Sequence, residues 1–125
     1  MIEYIKTNNA PSAIGPYSQG VIINDLIYTS GQIAINPTDG LLLNNKDIET
    51  ETHQVCKNIK NILESVGSNL DKVIKTTVFI RNINDFAKIN EIYGLYFNRK
   101  PARSLVEVSN LPKNVNIEIE VIALK

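Results

Sequence analysis

The chain alternates between short apolar runs and two longer stretches of helical spacing. Ile2 to Lys6 mixes apolar and charged positions as a brief first strand does. Asn8 to Gln19 is loop, punctuated by Asn8-Asn9, Ala10-Pro11 and Gly15-Pro16. Val21-Ile22-Ile23 and Leu26-Ile27-Tyr28 are joined by Asn24-Asp25, two residues that tolerate left-handed backbone angles, and so predict a tight hairpin. Gly31 to Asn45 reads as a long turn region, tightest at Asn36-Pro37-Thr38-Asp39-Gly40. Then the period changes. Ile48, Val55, Ile59, Ile62, Leu63 and Val66 share one face of a long amphipathic helix, with Gly67 as its stop. Asp71 to Ile80 is β-branched and predicts a central strand. Asn84 is the expected N-cap of a second helix, with Phe86, Ile89, Tyr93, Tyr96 and Phe97 on its buried side. Pro101 closes the connection, and Ser104 to Val108 predicts another strand. Leu111-Pro112-Lys113-Asn114 turns into a last strand over 115–124. There Val115, Ile117, Ile119, Val121 and Ala123 point one way, and Asn116, Glu118, Glu120, Ile122 and Leu124 the other.

These elements predict a single α+β domain over residues 1–125, a mixed sheet of about six strands with two helices on one face. Two helices cover only one face of such a sheet. The hairpin strands are apolar at successive positions, so both of their faces call for burial. The uncovered face is therefore expected to meet another copy, with sites possible at the seams.

Composition narrows the function classes. With 43% hydrophobic and 21% charged residues the chain is that of a folded globular protein. Lys+Arg and Asp+Glu are both 13, so there is no basic excess to attract nucleic acid or an anionic membrane. No run is long enough for a transmembrane helix, and the first residues lack a signal-peptide layout. One Cys excludes an internal disulfide and suits a reducing compartment; the expected location is cytoplasmic. One His and one Cys do not make a zinc or Cys-His constellation. No metal site is expected: Asn36 to Gly40 lacks calcium-loop spacing, and Gly15 to Gly20 lacks the ending of a phosphate-binding loop. Cys56, beside the apolar helix stripe, is expected to be a buried inert thiol, and His53 a surface residue.

Candidate chemistry lies at two places near the C-terminus. In Pro101-Ala102-Arg103-Ser104, Arg103 offers a planar fork able to hold a carboxylate with two hydrogen bonds. In Ile117-Glu118-Ile119-Glu120, carboxylates interrupt an otherwise apolar strand, and a carboxylate can move a proton to or from a reacting water. Together they suggest a site where a small carboxylate-bearing molecule is hydrolysed. Taken locally, the plainer accounts are a surface cation at a strand edge and a solvated strand face. Tyr17, taken locally, is loop packing.

These segments resemble the Rid (YjgF) family. Asn9-Ala10-Pro11-Ser12-Ala13-Ile14-Gly15-Pro16-Tyr17-Ser18-Gln19-Gly20 is similar to its N-terminal signature, and Ser30-Gly31-Gln32-Ile33 to its second block. Lys75-Thr76-Thr77-Val78-Phe79 and the helix from Asp85 through Asn90 to Phe97 resemble its middle blocks. Pro101-Ala102-Arg103-Ser104, Val106-Glu107-Val108, Leu111-Pro112-Lys113 and Ile117-Glu118-Ile119-Glu120 resemble its C-terminal signature. The likeness spans nearly the whole chain, in order, and is nearest to the RidA subgroup.

The resemblance implies a chorismate-mutase-like α+β fold and a homotrimer with clefts between subunits. It implies hydrolysis of reactive 2-imino acids, such as 2-iminobutanoate and 2-iminopropanoate released by dehydratases, to 2-keto acids and ammonia, with no cofactor. It assigns the substrate carboxylate to Arg103 and the water to Glu118. Tyr17, Ser30 and Gly31 line the pocket, Asn90 lies near it, and backbone groups at Gly31 and Leu105 complete the cradle. Two departures bear on the site. Leu105 stands where many relatives carry Cys, and the link from Phe97 to Pro101 is short, which reshapes one rim of the cleft. A different class stays open beside the enzyme: a non-catalytic trimer that binds small carboxylates, or a partner-binding or chaperone-like protein. The carboxylate of Glu118 favours the enzyme, because a pure carboxylate receptor gains nothing from a second, repelling anion.

Overall fold

A computed structural model describes all residues from Met1 to Lys125. Six strands form one sheet: β1 (Ile2–Ile5), β2 (Gly20–Ile23), β3 (Leu26–Thr29), β4 (Val73–Ile80), β5 (Ala102–Glu107) and β6 (Ile117–Leu124). Their order is β1-β2-β3-β6-β4-β5; only β4 and β5 run parallel, joined by the second helix. The expected mixed sheet with two helices is the observed one. The helices α1 (Ile48–Ser65) and α2 (Phe86–Tyr96) cover the face that carries Ile22, Ile27, Val78, Ile80, Ile117, Ile119, Val121 and Ala123, all buried.

Local signals account for the element ends. Asn24 takes a left-handed φ of 54° in the β2–β3 turn. Asp47 caps α1 by accepting from the Thr50 N–H at 2.7 Å. At the other end Gly67 has φ 83°, Gly67 N donates to the Glu64 carbonyl and Ser68 N to that of Leu63, so two otherwise orphaned carbonyls are satisfied.

Several expectations shift. The central strand begins at Val73, because Asn69 caps a 3-10 turn over Leu70–Lys72. Asn84 is not the cap of α2. Asn82 caps a 3-10 turn at Ile83–Asp85, and α2 follows from Asp85 with no side-chain cap. Strand β5 starts at Ala102, and β6 starts at Ile117, with Val115 buried ahead of it. Phe86 is exposed although it shares the helix stripe, whereas Ile92, outside the expected set, is buried. His53 is half-buried rather than on the surface, its Nδ1 2.8 Å from the Tyr96 hydroxyl. Cys56 is fully buried as expected, and burial pushes its thiol far above the usual range.

The other face of the sheet has no helix over it. Tyr4, Tyr28, Val106 and Leu124 are exposed there, beside a polar row of Lys75, Thr77, Ser104 and Glu120. No helix is long and apolar enough to cross a membrane.

Candidate functional site

On β6, Glu118 alternates away from the buried residues Ile117 and Ile119, so its side chain lies on the open face. The segment after β3 is drawn alongside by a two-way bridge: Gln32 N donates to the Ile119 carbonyl at 2.8 Å, and Ile119 N to that of Gln32 at 3.1 Å. This sets Gly31 directly against the Glu118 carboxylate. A Cβ on residue 31 would overlap Glu118 Oε2 and lie 2.8 Å from its Cδ. The glycine is needed for that close approach.

Tyr17 and Ser30 join the same cleft, a cavity of about 490 Å³ that also takes in Ile14 and Lys113. Ser30 is tied to the preceding loop, its N–H donating to the Gln19 carbonyl at 2.9 Å and its hydroxyl to that of Ser18 at 2.5 Å. The loop takes its shape from one buried side chain. Gln19 Nε2 donates to the carbonyls of Thr7, Ala10 and Pro11, and Gln19 Oε1 accepts from the Thr7 N–H. Ile33 and Ile35, which also line the cleft, are held to α1 from behind: the fully buried Asn58 donates to both of their carbonyls. Glu118 is half-buried in this cleft with no cation paired to it; the ion pairs of the chain are Arg99–Asp71 and Lys125–Glu3. Loss of solvent, and secondarily the charge of Glu120, raises its pKa above the ordinary carboxylate value. A carboxylate so raised holds a proton more readily, as a group that takes one from water must.

Arg103 belongs to a second cluster. It sits on β5 opposite the fully buried Thr76 of β4, hence on the helix-covered face. Its Nη1 donates to Asn90 Oδ1 at 2.7 Å. Its Cζ lies 4.9 Å from the centroid of the Tyr93 ring and 5.8 Å from that of Phe86. Leu105, two residues on, shares this face and packs partly buried against the core. No carboxylate pairs with Arg103.

The residues expected at one site thus fall into two groups within one chain. Tyr17, Ser30, Gly31 and Glu118 line one cleft; Asn90, Arg103 and Leu105 lie together elsewhere. In the register, Thr76 faces Arg103 and Phe79 faces Glu118. Three residues of offset is an odd number, so the two side chains leave opposite faces of the sheet. Across two strand spacings and three residues of rise their Cα atoms are roughly 14 Å apart. Tyr93, expected on the buried side of α2, and Gln19 and Thr76, named from the sequence only within family segments, carry much of this architecture, as does Asn58, which the sequence did not single out. For Asn58 and Thr76 the available signal is a polar side chain where the periodicity calls for an apolar one. No group of three or more His, Cys, Asp or Glu side chains converges to hold a metal.

Comparison with known proteins supplies the context. The family model described as Endoribonuclease L-PSP matches residues 7–125. AldR of Lactococcus lactis, provisionally named a regulator, is 54% identical across 98% of this chain and 97% of its own. The 2-iminobutanoate/2-iminopropanoate deaminase of Escherichia coli is 46% identical across 100% of this chain and 99% of its own. Among solved structures, that of E. coli TdcF with bound serine superposes with a TM-score of 0.93 at 42% identity, covering 98% of each chain.

Proposed function

This chain belongs to the Endoribonuclease L-PSP family, the Rid (YjgF) proteins, and from that membership we propose that it is a cofactor-independent deaminase. It hydrolyses reactive 2-imino acids to 2-keto acids and ammonia. One observation carries the reading: two unpaired, partly buried groups of opposite charge, the Arg103 guanidinium and the Glu118 carboxylate, on opposite faces of one sheet. Leaving either charge partly desolvated without a partner is costly in a lone chain. Both costs fall if the Arg103 edge of one copy meets the Glu118 cleft of another around a substrate. The exposed apolar residues of the open face are consistent with such an assembly, and the family resemblance makes it a homotrimer. Serine in TdcF and the deaminase name of the E. coli relative point to a ligand with an α-carboxylate.

The chemistry then needs few parts. The imine carbon is electrophilic, more so once its nitrogen is protonated. Arg103 holds the carboxylate by its fork, which fixes the imine carbon in place. Glu118 takes a proton from a water as that water's oxygen bonds to the imine carbon and the π pair of the C=N bond moves onto the protonated nitrogen. The resulting carbinolamine has one added oxygen. Return of the proton to nitrogen, loss of a proton from the new hydroxyl and breakage of the C–N bond release ammonia and leave the keto acid. Tyr17, Ser30 and the backbone at Gly31 line the cleft in which water and imine meet, and the Leu105 backbone completes the cradle. A thiol has no part in this scheme. RNA cleavage, suggested by the family model's description, sits poorly on a chain whose charges balance at 13 each.

The test generates 2-iminobutanoate in situ with a dehydratase and follows 2-oxobutanoate. The protein should speed its appearance, and Arg103→Ala or Glu118→Gln should abolish the gain. Co-assembling the two inactive variants should restore part of it, because some shared sites then combine an intact Arg103 with an intact Glu118. No acceleration by the wild type would remove the deaminase. No recovery in verified mixed assemblies, or a monomer in sedimentation equilibrium, would remove the shared site.

A further inference from the structure

On α2, Phe86, Asn90 and Tyr93 recur at i, i+4 and i+7 and so share one face. All three meet Arg103: Asn90 by the 2.7 Å hydrogen bond, Tyr93 and Phe86 through their rings. The nearer ring is itself held in place. The Tyr93 hydroxyl is 2.7 Å from Thr76 Oγ1, and Phe97 packs on it with centroids 4.6 Å apart. Thr76 is fully buried on a central strand and lies directly opposite Arg103 in the β4–β5 register. A buried hydroxyl needs a partner, and Tyr93 is the one it has.

We propose that Tyr93, oriented by Thr76, is a positioning residue whose ring face fixes the Arg103 guanidinium for carboxylate capture. The reasoning starts from the weakness of an arginine on an edge strand. Its long side chain samples many rotamers, and only a few aim the fork at a ligand. The ring quadrupole attracts the cation and favours a guanidinium lying over the ring. Asn90 occupies one N–H and removes rotation about that plane. Because both fixing groups are neutral, the charge of Arg103 stays unspent for an incoming anion. A carboxylate in either place would hold the arginine equally well and cancel it. This inference rests on Arg103 as the substrate's carboxylate anchor, and adds what makes that anchor rigid.

The test uses the intact assembly and 2-oxobutanoate as probe, with affinity read by calorimetry alongside KM and kcat for the imino acid. Thr76→Val serves as background, so that loss of the Tyr93 hydroxyl orphans no buried group. Position 93 then carries Phe, pentafluorophenylalanine or Leu, the second matching the first in shape but with the ring's polarity reversed. Affinity should fall from Phe to both others, by about tenfold, with KM rising in step and kcat changing far less. A merely structural ring would leave the two aromatic variants alike; equal affinity for them overturns the proposal, even if the Leu variant fails to fold. If 2-oxobutanoate binds Arg103→Ala as well as wild type, the anchor itself is wrong and this inference falls with it. If Arg103 matters and the ring polarity does not, only the inference falls.

Discussion

Adding one methyl group at residue 31 should separate folding from catalysis. Gly31 is not among the residues with left-handed φ, so Ala is accepted by the backbone there. The obstacle is Glu118. The new Cβ would stand 2.8 Å from its Cδ and 3.0 Å from its Cγ, and would overlap Oε2, where ordinary contact begins at 3.4 Å. If the carboxylate were immobile, this overpacking would cost about 1–3 kcal/mol. Glu118 is only half-buried and makes no ion pair, so it can instead swing into the cleft, and most of the cost becomes displacement. A shift of about 1 Å in a group that must meet a water lowers turnover on the order of 10²-fold. The expected result for Gly31→Ala is therefore a melting temperature close to wild type and a collapse in kcat. The control is a double-mutant cycle on stability. With Glu118→Ala in place the clash is gone, so whatever Gly31→Ala costs in the wild type should disappear. Keto-acid release and thermal unfolding measure the two halves. Near-normal turnover in Gly31→Ala, or a stability cost that persists without the Glu118 side chain, would refute the reasoning.

Other expectations follow from the same geometry. If ionised Glu118 takes the water's proton, kcat falls as pH drops through its pKa, which lies above the ordinary carboxylate value mainly because of burial; Glu120→Gln removes the secondary like charge and should move this acid limb to lower pH. The folded state binds that proton more tightly than the unfolded one, so the group favours folding at low pH and this is lost as pH rises through the raised pKa. Glu118→Gln should thus be inactive yet melt higher than wild type near neutral pH, and a lower melting point there would contradict the assignment. Arg103→Lys should rescue poorly, since a point charge replaces neither the fork nor the contact of a guanidinium with the Tyr93 ring; near-normal KM in that variant would remove the anchoring role. Cys56→Ser should keep its kcat while losing about 1–3 kcal/mol in denaturant unfolding, because a hydroxyl enters a fully buried apolar site. Loss of turnover in the folded variant would return a thiol to the chemistry.

Much of this molecule is legible residue by residue, because the signals are local. The alternation of Ile117, Ile119, Val121 and Ala123 fixes which face of β6 is buried, and with it the opposite face for Glu118. Gly67 stops α1 where only a left-handed residue closes the last turn. The motifs around Tyr17, Ser30, Arg103 and Glu118 carry the family resemblance. Tertiary structure decided the rest. Whether Arg103 shares a face with Glu118 depends on the β4–β5 and β4–β6 registers, and pairing between segments distant in sequence leaves no periodic trace in either. Phe86 and Tyr93 read as the buried side of α2 from their spacing, yet with Asn90 they seat a cation, because the strand lying beside them carries Arg103 at that level. Gly31 reads as a turn residue, and only the bridge between Gln32 and Ile119 makes it the wall against which the Glu118 carboxylate rests. A sequence specifies what each side chain can do; which two of them meet is set by strand register, a property of the folded sheet as a whole.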